Sequence, residues 1–460
     1  MPGKGISGFN RLSEGFRKSL FHNLFNFRDE YARGRSCMLI SGFILSIINY
    51  LTTGIFYSGF LSENGINIVK IGILSFVPFL ANLFSVFSPM ILERFQKRKA
   101  ILIGGKFIYY FLNIFCITFL PMIVKNLPEN VKLASFLVII FTANICNALV
   151  ASGFTAWQVV FIPDHVRADF FAYQQTIAAV VSGVIIVISG SITDALKGSA
   201  HYSTVLMILR LAAFFFAIVD LVFNSIPKEY PYKATQHVKF SNIFRIPFRN
   251  KPFMITMIFV IVWSYFANFT FSLLDTHLLN NVHVKYTYVC VINALYSLFL
   301  IVLNKFWRKM IARYSWLKVF AFCVLMYAPT TFAYAFVNEG NYLWLMTIVR
   351  FTQHFFGVGL NITYANMGYL NMPDEDKTCY VSLHIFITNL FSLLGAITGT
   401  MIVSLMGDSV LTIFGYSLSS VPVLLLIQGV EQIVLPILVV LLMPKAMPGE
   451  EQKQKQKKEK

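Results

Sequence analysis

Arg350 and His354 stand four residues apart inside an apolar run, which places both on one face of a helix. A guanidinium there can grip a carboxylate, a phosphate or a sugar hydroxyl, and an imidazole changes charge in the physiological range. Arg350 lies about 12 Å from the end of its segment at about 1.5 Å per residue, too deep to reach the interface easily. Asp275 and Glu431, also in apolar runs, add carboxyls that can carry a proton or pair with a cation. Around them recur amides and hydroxyls at spacings of three, four or their sums: Ser46, Asn49 and Thr53, then Asn144, Asn147, Thr155 and Gln158. Ser264, Asn268, Ser272 and Asp275 form a third such stripe, and Arg350, His354, Asn361 and Tyr364 a fourth. Such groups suit reversible hydrogen bonding to a polar solute.

Bond-making chemistry is not encoded. There is no G-x-S-x-G, no H-E-x-x-H and no Walker loop, and the one G-x-G-x-x-G, at Gly3 to Gly8, precedes any strand. Cys37, Cys116, Cys146, Cys290, Cys323 and Cys379 are scattered singly, without metal-type spacing. The sequons at Asn268 and Asn361 fall within apolar runs, where glycans cannot be added. The chain is expected to be no enzyme, to need no cofactor and to bind no metal.

The elements that hold these groups must sit in lipid. Of 460 residues, 57% are apolar and only 13% charged, and mean hydropathy is +0.66. Twelve apolar segments can be cut, at 37–60, 71–92, 100–124, 133–160, 171–196, 203–224, 252–279, 284–306, 317–337, 342–371, 379–406 and 420–443. Their continuous apolarity predicts helices rather than barrel strands. Residues 1–36 hold no apolar core of a signal peptide, so the first segment is expected to remain in the mature protein. Leu12, Phe16, Leu20 and Leu24 recur every four residues among basic side chains, predicting a helix lying in the interface. The tail 444–460 is a Gln, Lys and Glu tract expected to be disordered and drawn to anionic headgroups.

Basic residues decide the orientation. Of 38 Lys and Arg, 30 fall on the side of the N-terminus, and only Lys70, Lys125, Lys132, Lys197 and Lys285 on the other. Lys106, Arg210 and Arg350 lie within spans. The positive-inside rule then puts both termini in the cytoplasm and accounts for the net charge of +17 without a nucleic-acid partner.

The longest hydrophilic connection, the basic stretch 225–251, separates bundles at 37–224 and 252–443. A shift of 219 brings Asn49 onto Asn268 and Arg94 onto Arg313, and a shift of 210 brings Pro163-Asp164-x-x-Arg167 onto Pro373-Asp374-x-x-Lys377. Matching halves with equivalent loops are the trace of a parallel repeat about the membrane normal. The segment Glu93-Arg94-Phe95-Gln96-Lys97-Arg98-Lys99 resembles the loop after span two of the major facilitator superfamily, whose pattern is G-x-L-x-[DE]-R-x-G-R-[RK]-[RK]. Its counterpart keeps Arg313 with Ala312 in place of the acid.

The resemblance implies an all-α polytopic fold of twelve helices in two pseudo-symmetric six-helix bundles, with spans one, four, seven and ten around a central cavity. It implies that Asn49, Asn144, Asn147, Gln158, Asn268, Arg350, His354, Asn361 and Tyr364 contact solute. Glu93, Arg94, Asp164, Arg167 and Arg313 would gate the cytoplasmic side, with Asp275 and Glu431 as candidates for gating or coupling. Arg210, on a supporting helix, is expected to be structural, Lys106 to snorkel from the end of span three, and His384 to be a packing residue. The activity implied is secondary transport of a small polar solute, sugar or organic anion, by alternating access in a monomer of the plasma membrane, with protons as the candidate coupling ion. Alternatives are export of amphiphiles, disfavoured because Gly183 and Gly190 stand in span five without the exporter pattern G-x-x-x-G-P-x-x-G-G, and a non-transporting sensor of the same fold.

Overall fold

A peptide group in hydrocarbon must find its hydrogen bond within its own segment, and the long apolar runs answer with helices. The computed structural model describes residues 29–92, 95, 97–162, 167–229, 240–373, 377–413 and 415–446. Among them, ten helical segments are long and apolar enough to cross a membrane. The chain is an integral membrane protein of all-α class. The spans, in order, are the first, Glu30–Glu63; second, Ile68–Phe87; third, Lys99–Ile123; fourth, Glu129–Phe161; fifth, Arg167–Leu196; and sixth, Tyr202–Ser225. The second half repeats them as the seventh, Lys251–Asn280; eighth, Tyr286–Tyr314; ninth, Trp316–Tyr334; tenth, Tyr342–Asn366; eleventh, Lys377–Met406; and twelfth, Ser420–Ala446. Arg350, Gln353, His354 and Asn361 dilute the apolarity of the tenth.

Polar caps start several spans. Asp29 accepts the Ala32 N–H at 3.2 Å, Asn67 that of Lys70 at 3.0 Å, and Asn250, before Pro252, that of Phe253 at 3.2 Å. The connection 225–251 is not loop throughout: Phe240–Phe248 forms a short helix whose Ile243 packs with Val86 of the second span and Cys379 of the eleventh. Between the last two spans, β1 (Leu411–Ile413) and β2 (Tyr416–Leu418) pair antiparallel, turning through Gly415 at φ +82°. The expected interfacial helix near Leu12 and the tail after Ala446 lie outside the described residues.

The first span packs on the fifth and sixth within its half, and the ninth on the tenth and twelfth within the other. Across the halves, the fifth meets the eighth and the second meets the eleventh. Backbones approach most closely where side chains vanish. A Cβ on Gly395 would stand 1.9 Å from the Tyr265 carbonyl oxygen, and one on Gly399 2.1 Å from that of Phe269. This small-x-x-x-small pair on the eleventh span seats the bent seventh.

The turn between the eighth and ninth spans is a single residue, Ser315, at φ +98° and ψ 160°. Only glycine adopts that region readily, at a cost to other residues of about 1–3 kcal/mol, and the Ser315 hydroxyl is also buried without a partner. Ser315→Gly is therefore expected to raise stability by about 1 kcal/mol, the relieved strain being partly offset by glycine's greater freedom when unfolded. The melting temperature of the purified variant should rise; no change would mean the turn is unstrained.

Candidate functional site

Two spans, one in each half, are broken near their midpoints. The first stops at Thr52, Thr53 is extended at φ −128°, and a new helix Gly54–Glu63 starts with Gly54 at φ +58°. The seventh stops at Ala267 and restarts as Phe271–Asn280. Neither restart has a side-chain cap, since Thr53 and Thr270 make no such bond. Each half-helix therefore directs unsatisfied N–H groups and the positive end of its dipole toward the middle of the molecule.

Asp275 belongs to the second of these half-helices. Its carboxylate reaches across the halves: a Cβ on Gly54 would lie 3.5 Å from Asp275 Oδ2. No hydrogen bond to the Asp275 carboxylate is formed among the described residues, and it interacts through space with the Arg350 guanidinium. Arg350 donates from Nη2 to the Tyr334 hydroxyl at 3.0 Å, with its Cζ 4.8 Å from the centre of the Tyr334 ring. Its Nε is buried without a partner. A half-buried anion and cation, near one another and each short of partners, leave room for a molecule that carries both donors and acceptors.

The other sequence-predicted residues divide. Asn49 and Asn361 are exposed, and Asn361 donates to the Tyr296 hydroxyl at 3.1 Å. Tyr364 is half-buried and shares a 2.6 Å bond with Ser264, joining the tenth and seventh spans. Asn268 sits at the break, donating to the Ser264 carbonyl at 2.7 Å and to Ser392 of the eleventh span at 3.0 Å. Asn147 is half-buried. Asn144 is buried and donates back to the Ile140 carbonyl at 2.8 Å, a bond within its own helix. His354 is buried against the eighth span, its Nε2 2.9 Å from the Ile292 carbonyl oxygen and its ring 5.2 Å from that of Tyr296. Glu431 is buried in the twelfth span with neither carboxyl oxygen partnered, beside Gln432, whose Oε1 is likewise unpartnered. Arg313 is exposed at the turn before the ninth span. Glu93, Arg94 and Asp164 lie outside the described residues, as do the side chains of Gln158 and Arg167.

Three groups behave otherwise than expected or were not foreseen. Lys106 does not snorkel: its Nζ lies 2.7 Å from Asp220 Oδ2, and Asp220 is fully buried. The Tyr110 hydroxyl donates to Asp220 at 2.8 Å, Asn224 donates to it at 3.0 Å, and Ser41 donates to it as well. This network ties the first, third and sixth spans. Arg210, buried as a structural residue would be, donates to Thr118 Oγ1 at 3.0 Å and to the Asn113 carbonyl at 2.9 Å. That carbonyl is available because residues Phe111–Cys116 form a π-turn. Asp194, at the end of the fifth span, accepts the backbone N–H groups of Tyr286 at 2.8 Å and Thr287 at 2.6 Å, capping the eighth span of the other half.

At that same end the halves are sealed. Phe56, Phe60 and Leu61 of the first span pack with Leu278 and Leu279 of the seventh, Val282 just beyond it, and Tyr286 and Val289 of the eighth. The Tyr202 and Tyr286 hydroxyls, one from each half, lie 2.8 Å apart.

This architecture has counterparts. The nucleoside transporter NupG superposes with a TM-score of 0.61 at 12% identity, over 90% of this chain and 99% of that one. The E. coli fucose:proton symporter FucP gives 0.54 at 14% identity over 90% and 99%. A D-xylose-proton symporter gives 0.63 at 10% identity over 88% and 96%. No curated protein sequence matches the chain. Residues 264–460 match the model of the Major Facilitator Superfamily. Residues 264–460 thus resemble that family by sequence, and the chain shares the fold of these transporters along its length.

Proposed function

We propose that the protein is a secondary transporter that carries a small polar solute between the two sides of a membrane by rocking its halves about the paired breaks in the first and seventh spans. The observation that carries this reading is the approach of Asp275, on the uncapped half-helix of the seventh span, to Gly54 at the uncapped start of the other half-helix, with Arg350 acting on the same carboxylate. Broken helices with inward-directed termini are how transporters build a polar site without exposing backbone to lipid. The N–H groups and Arg350 would take acceptor oxygens of the solute, and Asp275 its hydroxyl or amine donors.

Sugars or nucleosides, with hydroxyls on a ring that can lie on the flanking tyrosines, fit best. Organic anions are the runner-up, because Arg350 is offset by Asp275. The similar structures, a nucleoside transporter and two sugar-proton symporters, agree with the first class. Asp275, placed between the positive end of the first half-helix and Arg350, is the candidate for a coupling proton, and Glu431 is a second.

With the opposite end sealed, exposed Asn49, Thr53 and Asn361 are reached from the end that carries the linker 225–251. The positive-inside rule makes that side cytoplasmic, with both termini there and the plasma membrane as site. The test is counterflow into proteoliposomes with a panel of pentoses, hexoses, nucleosides and organic acids, run with and without a pH gradient. Saturable exchange of one class supports the reading, and absence of exchange for every member refutes it.

A further inference from the structure

The end remote from the linker 225–251 carries a crevice of two lobes, of about 400 and 210 Å³, which lie side by side and share His277, Asn281 and Ser419 along their border. It stands outside the seal. Leu278 and Leu279 pack against the first span there, while His277, on the same half-helix, lines the crevice. The larger lobe falls within the range of about 300–1,000 Å³ usual for small-molecule sites.

The two lobes differ in chemistry. Ser404, Ser409, Ser420 and Asn67 set hydroxyls and an amide around the Asp408 carboxylate in the larger one. Asp408, just past the end of the eleventh span, is exposed, and its carboxylate takes no hydrogen bond among the described residues. Asn67 spends its Oδ1 on the Lys70 N–H, which leaves its amide N–H groups to donate. The smaller lobe is apolar and aromatic: Val282, Val337, Leu418 and Pro422 surround Phe336 and Tyr416, whose rings meet edge to face at 5.4 Å. Tyr416, on β2, is 51% exposed, so its ring is open to a partner. At the border His277 is buried, its ring held by a hydrogen bond with the Asn281 side chain. Among the described residues neither lobe has a Lys or Arg in its lining.

A flat unsaturated ring finds a stacking surface in the smaller lobe, and a ring of hydroxyls finds both donors and acceptors in the larger. A carboxylate is moreover a ready acceptor for ribose hydroxyls. A phosphate would meet Asp408 with no cation to offset it, an ammonium would leave the amide and hydroxyl donors idle, and a bare sugar would fill one lobe only. We propose that the crevice is a nucleoside site on the outer face, the base lying on Tyr416 and Phe336 and the ribose hydroxyls on Asp408, Asn67 and Ser419. It deepens the proposed function, on which it rests for the fate of the bound molecule, by choosing nucleosides from the candidate solutes. Asn67 begins the second span, in the first half, and Asp408 and Tyr416 belong to the second half, so an occupant is held across the junction of the two.

The test is photolabelling of the full chain in proteoliposomes with 8-azidoadenosine, the attachment points being read by mass spectrometry of its peptides. Label should fall on residues 335–338 and 416–422, disappear with excess adenosine and survive excess adenosine monophosphate. Asp408→Asn and Tyr416→Ala should each raise the adenosine concentration that halves the labelling by about tenfold, through one charge-assisted hydrogen bond and one stacked base respectively. Tyr416→Phe keeps the stacking face and should label as the wild type does. Both positions are exposed, and an unchanged melting temperature shows that the variants are folded. Label confined to the first and seventh spans around their breaks, equal competition by the monophosphate, or wild-type competition in Asp408→Asn would each overturn the site. Counterflow of adenosine reads the proposed transport separately: label at the crevice without exchange keeps this site and removes nucleoside transport, whereas exchange without that label removes this site alone.

Discussion

Asp220→Ala is expected to destabilise the protein by about 3–5 kcal/mol, because it leaves the Lys106 ammonium inside the first bundle with no counter-charge. Lys106 has little escape: its side chain is 12% exposed, and its Nζ lies 4.8 Å from the centre of the Phe154 ring. Tyr110, Ser41 and Asn224 would lose their common acceptor in the same step. The measurement is a melting curve followed with a thiol-reactive dye, since Cys37, Cys290, Cys323 and Cys379 are all buried until the helices separate. Removing both charges, as Lys106→Met with Asp220→Leu, should recover most of the loss, because the isolated charge and not the missing contact is the larger penalty. A single variant that melts like the wild type would show that Lys106 finds water after all.

Arg350→Ala is expected to lower solute uptake at limiting concentration by about tenfold to hundredfold, the equivalent of charge-assisted hydrogen bonds worth about 1.5–3 kcal/mol. Arg350→Lys keeps the charge but not the planar fork and should recover only part of it. Asp275→Asn should cut uptake too. If one solute bridges both groups, the double variant will lose less than the sum of the single losses, a coupling of about 0.5–3 kcal/mol. Counterflow of the identified solute reads each effect, and the dye melt shows that the variants are folded. Normal uptake by Arg350→Ala would remove the proposed site altogether.

The lipid-facing character of the spans and the number of passages were legible because hydrophobic segments of about 20 residues carry their own signal. The repeat was legible because its loops keep charges in matching places. The breaks were not: nothing in Asn49 to Gly54 or Asn268 to Thr270 distinguishes a chain interruption from a polar stripe, since both use small polar residues in apolar surroundings. Hence Asn268, expected only to meet solute, also holds the bent seventh span to Ser392. Asn144 and His354 illustrate a second gap. Spacing puts them on a face with other polar groups, but a side chain that bonds its own carbonyl or a neighbouring backbone is satisfied without facing the space between the halves.

Pairs far apart in sequence were the hardest to see. Lys106 finds Asp220 across 114 positions, and no local pattern announces that the carboxylate of the sixth span will stand at the same depth. A reading that treated every buried charge as owing a partner of opposite sign would have singled out Asp220, one of the few acids within an apolar run. Asp194 escaped for a related reason. Its partners are backbone amides, which every residue owns and no sequence displays.

The Asp194 cap also ties the resting pose of the molecule to its solvent. Its two acceptor oxygens sit in one half and the amides they serve in the other, so parting that end strips both of their mates until water arrives to replace them. Dry surroundings thus favour the shut pose, and excluded cosolutes such as sucrose, by withholding that water, would bias the protein toward it.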